Sequence, residues 1–320
     1  MSSLDIEIDS DGGFDDERPR TAAIRLLGTR IVAGAPGHEA GDVLPIKPLM
    51  EEIQASRSLV REVLQALEHK GMVALKTRVG ATVQPLRRWN VLDPDVITWR
   101  LEAAPRFPFR SMTELREAVE PRAAFLAAQR ASGEVCRDLV NLAVKLKTLA
   151  EDKSFDDIGE AGDAKRDEFQ AVDAKLHRKI LEGSNNEMFL SLAVPVEEAL
   201  RFRIKSTWEG ARREEKWAKR LGSDTHRVTS PAGTAKVFPR RPERLAMWFH
   251  YGLVYAIEQQ RPQAAETFSR AIIAELQVGR LNDPYLQNAL QLAIRELDLS
   301  GFPEADREPF FEDVITVAAT

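Results

Sequence analysis

The sequence predicts a mostly α-helical protein in two parts: a small N-terminal three-helix unit with a two-stranded wing, then a larger C-terminal all-α bundle. Three observations predict it. Residues 56–73, SRSLVREVLQALEHKGMV, put Leu59, Val60, Val63, Leu64 and Leu67 at the i, i+3, i+4 spacing of a helix packed on a small core. Two short extended runs, Met72 to Leu75 and Ala81 to Val83, follow at once. From Ser111 onward, apolar residues recur at helical spacing and β signals are few.

The helix of residues 56–73 organises its surroundings. Ser56 and Ser58 stand just before the periodic run, where a hydroxyl can cap the first free backbone amides. Arg57 and Arg61 are four apart and share the side away from the Leu and Val stripe. Gly71, after Lys70, is a helix stop. Arginines at a capped helix start, followed by a hairpin, are what a winged helix-turn-helix presents to a major groove. The spacing alone also fits an ordinary amphipathic surface helix.

The other elements follow in chain order. Residues 1–20 carry seven acids and two arginines and read as a disordered tail. Thr21 opens a helix with Ala22, Ala23, Ile24, Leu26, Leu27, Ile31 and Val32 on its apolar side, stopped at Gly34-Ala35-Pro36-Gly37. Gly41 to Pro45 is a turn into a short extended piece, and residues 47–54 make a second short helix. Gly80 lets the wing backbone turn and come close to a phosphate. The head therefore spans 21–86 and a linker 87–104 follows, with a helical domain over 105–320. In that domain Leu115, Val119, Ala123, Leu126 and Ala127 form one stripe, and Val135, Leu139, Leu142, Ala143, Leu146 and Leu149 a second. Phe169, Val172, Leu176 and Ile180 form a third. Residues 205–241 read as a charged inserted loop, and Leu286, Leu290, Leu292, Ile294 and Leu297 suggest one more helix near the end.

Composition bounds what the chain does. At 320 residues it suits two domains, and no apolar run approaches the roughly 20 residues of a membrane span. The N-terminus lacks a secretory layout, so a cytoplasmic protein is expected. Cys136 is the only cysteine, which rules out an intrachain disulfide and a cysteine zinc cluster. A net charge of −5 looks wrong for a DNA binder, but residues 21–90 hold ten Lys or Arg against six Asp or Glu. Charge distribution therefore leaves DNA binding open to one end of the chain.

Several strings in this order resemble the GntR family of bacterial transcription regulators: Ile31-Val32-Ala33-Gly34, Gly41-Asp42-Val43-Leu44-Pro45, Ser56-Arg57-Ser58-Leu59-Val60-Arg61-Glu62, Leu67-Glu68-His69-Lys70-Gly71-Met72-Val73 and Gly80-Ala81-Thr82-Val83. Where the family carries a DNA-contacting arginine after Leu-Pro, this sequence reads Ile46-Lys47-Pro48-Leu49-Met50, so Lys47 is the nearby basic candidate. Trp89-Asn90-Val91-Leu92-Asp93-Pro94-Asp95-Val96 resembles the linker of the FadR-like branch, particularly regulators of sugar-acid catabolism, although it also reads as a packing segment in which Trp89 and Trp99 pin two domains together. The helical part resembles that branch's effector-binding FCD domain. The resemblance implies Arg57 and Arg61 at base edges, Lys76, Arg78 and Gly80 at phosphates, and Lys47, Ser56 and Ser58 beside them.

Asp173 and His177, at i and i+4, lie on one helix face and can grip a divalent metal; they can equally form a buried hydrogen-bonded pair. The resemblance adds His250 to this pair and implies one zinc, nickel or manganese ion. The family's further histidine falls in register on Ile272, and His226 in the inserted loop is the only stand-in. Arg116 matches the family's effector-pocket arginine and suits a carboxylate, but at i, i+4 it also pairs with Glu120. Asn185 is the second effector candidate. No Gly-rich phosphate loop, no Gly-x-Ser-x-Gly elbow and no Cys/His nucleophile pairing is present. The expectation is a homodimeric regulator that binds a palindromic operator under the control of a small acid such as an aldonate. The alternatives are a metal-dependent enzyme on a DNA-binding head, and a regulator whose pocket senses no small molecule.

Overall fold

The computed structural model describes residues 19–76, 80–104, 106–157, 160–202, 244–275 and 280–319. Most of the acidic tail, Arg78, the 205–241 insert and His226 lie outside these residues. The chain divides into two compact units, residues 1–105 and 106–320.

The first unit begins with α1 (Pro19–Val32), which buries Ala23, Ile24, Leu27 and Ile31. β1 (Val43–Leu44) leads into α2 (Ile46–Glu52), and α3 (Arg57–His69) buries Val60, Val63, Leu64 and Leu67. The Ser56 hydroxyl accepts from the Leu59 amide at 3.3 Å, as the cap reading requires. Gln54, at φ 48°, makes the turn between α2 and α3. β2 (Val73–Lys76) and β3 (Gly80–Val83) pair antiparallel as the wing. The expected two-stranded wing has a third strand, because Val43 and Leu44 pair with Thr82 and Ala81.

Two glycines in this unit are there for packing. Gly80, at φ 124°, is buried, and a Cβ on it would stand 2.1 Å from the Leu44 carbonyl oxygen. That close approach of β3 to β1 accounts for the glycine without a phosphate. Gly28 faces Trp99, and a Cβ there would stand 2.2 Å from the indole ring. We therefore expect Gly28→Ala to destabilise the unit by about 1–3 kcal/mol through overpacking, read as a lower Tm.

The linker string has a physical reading of its own. Trp89 Nε1 donates to the Gln84 carbonyl at 2.7 Å. Asp93 caps α4 (Pro94–Ala103), accepting from the Asp95 and Val96 amides, and also receives Lys70 Nζ at 2.8 Å. Val96 and Trp99 are buried in the core of the first unit. Trp89 and Trp99 thus hold the linker to the winged unit itself. Lys70 closes this contact because its own helix ends beside the Asp-Pro cap.

The second unit is helical, as expected. It contains α5 (Arg106–Arg130), α6 (Gly133–Glu151), α7 (Glu160–Gly183), α8 (Glu187–Leu190), α9 (193–202), α10 (Arg244–Glu258), α11 (Pro262–Glu275), α12 (Pro284–Glu296) and α13 (Glu304–Ala319). Every residue from Ala246 to Ile257 is buried, so α10 is the central helix; an apolar surface all round demands that position. α5, α6, α11 and α13 pack on it. The sequence suggested one helix after Asn282; there are two. α13 carries Phe310 and Val314 into the core, and its Asp313 accepts from Trp248 Nε1 at 2.7 Å. Pro309 and an acidic start hide this helix in the sequence.

A candidate nucleic-acid face and a buried histidine–carboxylate cluster

Arg57, Ser58 and Arg61 stand exposed on the first two turns of α3, opposite its buried stripe. Lys47 on α2 and Lys76 at the end of β2 are exposed as well. Two neighbouring acids have arginine partners: Glu62 pairs with Arg20 at 3.6 Å, and Glu52 pairs with Arg30. Among the described residues Lys47, Arg57, Arg61 and Lys76 make no ion pair, so their charge faces outward. A helix start carrying two free guanidinium forks can meet phosphates and base edges.

The second site lies inside the helical unit. Asp173 and His177 on α7 and His250 on α10 are all buried, at 4%, 2% and 4% exposure. One ligand atom from each lies within 4.8 Å of the others. The two imidazoles meet edge to face, with centroids 5.7 Å apart at 89°. The spacing of Asp173 and His177 was legible in the sequence and the resemblance added His250; the packing of α10 in the bundle brings the three together.

The tautomers follow from the acceptors. His250 Nδ1 lies 2.6 Å from the Ala246 carbonyl oxygen, which can only accept. Nδ1 therefore carries the proton, and in the neutral ring Nε2 presents a lone pair. His177 Nδ1 lies 2.7 Å from Glu120 Oε2. Burial alone would raise the Glu120 carboxyl, but the Arg116 guanidinium and the His177 ring outweigh it and bring it to about 2. Glu120 is thus an anion that only accepts, and His177 Nδ1 donates to it.

Both Nε2 atoms are then left over. Among the described residues, the buried His177 Nε2 and His250 Nε2 have no hydrogen-bond partner. His250 Nε2 comes within 3.3 Å of Asp173 Oδ1 and His177 Nε2 within 3.8 Å, but neither forms a hydrogen bond with it. A hydrogen bond needs direction as well as proximity, and these contacts have only proximity. An orphaned buried polar atom costs about 1–3 kcal/mol, and two side by side next to a carboxylate fit a divalent cation.

The effector candidates fall in different places. Arg116 is not a surface arginine: at 2% exposure it sits on α5 with Nε 2.5 Å from Glu120 Oε1 and Nη2 3.4 Å from Glu120 Oε2. Asn185 is exposed in the turn after α7, at φ 49°, a left-handed conformation that asparagine tolerates. The sequence reading missed Glu120 as a member of the cluster. Its place between buried Val119 and Ala123 on one stripe was the available signal.

Comparison with known proteins decides the family. Residues 21–83 match the bacterial regulatory proteins of the gntR family, and residues 111–227 match the FCD domain. The galactonate operon transcriptional repressor of Escherichia coli K12 is 32% identical over 187 residues, covering 58% of this chain and 75% of that protein. The chain belongs to the GntR family. An uncharacterized HTH-type regulator of the same organism, YieP, is 31% identical over 169 residues, 52% of this chain and 68% of that one. This GntR protein is thus a DNA-binding transcription regulator with an FCD domain. Its family consists of regulators and not enzymes, which removes metal-dependent hydrolysis as a reading of the buried cluster. No described helix is long and apolar enough to cross a membrane.

Proposed function

We propose that this GntR regulator is a repressor that binds a palindromic operator as a homodimer, and that a sugar acid bound in the FCD domain sets its operator affinity. Arg57 and Arg61 read base edges, while Lys47, Ser58, Lys76 and Arg78 hold phosphates. Two heads are needed because one winged unit buries little surface on DNA, and pairing them multiplies affinity.

One observation carries the effector half: two orphaned imidazole nitrogens beside a carboxylate in the core of the FCD domain. Asp173, His177 and His250 would hold zinc, nickel or manganese. A bound divalent ion supplies Lewis-acid coordination of an anion. Three protein ligands leave seats open for a carboxylate and hydroxyl of the effector, and Ile272 fills the family's remaining histidine position with an apolar side chain. The name of the galactonate repressor supports an aldonate as the first class to test. A coupling of about 1–3 kcal/mol between acid and operator is enough for control.

The test is metal analysis of the purified protein, a thermal-shift screen with aldonates, and anisotropy on an operator selected from random duplexes. Stoichiometric metal, stabilisation by one acid and a changed operator affinity are the expected results. Operator binding with no metal and no acid response would leave a DNA-binding protein whose pocket senses no small molecule.

A further inference from the structure

Arg116, Glu120 and His177 form one buried chain of contacts, of which only His177 belongs to the candidate metal site. Arg116 donates to Glu120 through Nε and Nη2, at 2.5 and 3.4 Å. Glu120 accepts from His177 Nδ1 at 2.7 Å. The three side chains are 3% exposed, and they join α5 to α7 across the core. Glu120 is not among the residues whose ligand atoms converge, because it meets His177 at the far nitrogen from Asp173 and His250.

We propose that Glu120 is the positioning residue of the metal site, and that Arg116 serves it by holding Glu120. This rests on the reading of Asp173, His177 and His250 as metal ligands. The physical reason is the two-ended imidazole. A carboxylate on Nδ1–H fixes the tautomer that leaves Nε2 bare, locks the ring plane, and makes Nε2 a stronger donor. His250 is oriented by a neutral carbonyl, Ala246, so the two histidines have unequal support. Arg116, two-pronged, meets the buried Glu120 carboxylate from the other side and fixes its plane. Two of the five guanidinium N–H groups, on Nε and Nη2, are directed at Glu120.

The test is titration of the full-length metal-free protein with Co2+, whose d–d absorption reports coordination, across four forms: wild type, Glu120→Gln, the double variant Arg116→Gln/Glu120→Gln, and His177→Ala. Wild type should bind one ion. Glu120→Gln should bind about 10–100-fold more weakly with an unchanged band position, because the ligands remain but one is unsupported. The double variant strands no buried charge, so it should fold with a metal-free Tm close to wild type and still show the weakened binding. Equal affinity in wild type and the double variant would overturn the proposal. So would a changed absorption band matching that of His177→Ala, which would make Glu120 a ligand itself. No Co2+ binding by wild type would bring down the metal reading along with the proposal, a pattern distinct from both.

Discussion

Arg57→Ala is expected to lower affinity for the selected operator by roughly thirty-fold or more while leaving the fold intact. Arg57 is the first residue of α3, exposed, and without an ion pair among the described residues. Its removal therefore strands nothing in the core. A bidentate arginine contact to a base edge is worth about 1–3 kcal/mol, and on a palindrome the loss counts once per head. The measurement is fluorescence anisotropy at fixed salt, since affinity for DNA depends steeply on ionic strength. Arg295→Ala, exposed on α12 of the other unit, is the control for lost positive charge. Unchanged affinity in Arg57→Ala would take Arg57 out of the interface and shift base reading to Arg61.

His177→Ala carries the second large effect. It removes one of three ligand side chains and one end of the hydrogen bond to Glu120. Metal affinity should fall by more than about 100-fold, beyond what the loss of a supporting hydrogen bond costs. Stabilisation by the acid should vanish with it. Operator affinity in the absence of acid should stay at the wild-type value, because the substitution lies in the second unit and the cations proposed to meet DNA lie in the first. Metal content by elemental analysis and thermal shift with the acid decide the matter. If both survive in His177→Ala, the cluster is a structural hydrogen-bonded core and the effector binds elsewhere.

The two sites were legible to different degrees, for a physical reason. The winged head is built from local signals. A capping serine, a stripe at helical period, a Gly71 stop and a glycine in the wing each specify structure within a few residues, and α3, β2 and β3 follow them. The sequence did not reveal that Gly80 is there for the Leu44 carbonyl, because that contact joins strands far apart in the chain. Nor did it reveal the partners of Trp89 and Trp99 in the head, the Gln84 carbonyl and Gly28.

In the helical unit the sequence gives periodicity but not neighbours. The stripes of α6 and α7 are buried as read, and Asp173 and His177 share a face by spacing alone. The sequence by itself determined that this is a mostly α-helical regulator with a winged DNA-binding head, two exposed arginines at a helix start and one carboxylate–imidazole pair. The resemblance added His250 to that pair, and the tertiary structure brings the three together in the core. Only the tertiary structure decided that Arg116 and Glu120 pair in the interior and that α13 covers the central helix. Side chains on different helices come together through packing of whole apolar surfaces, and no local spacing encodes which faces meet.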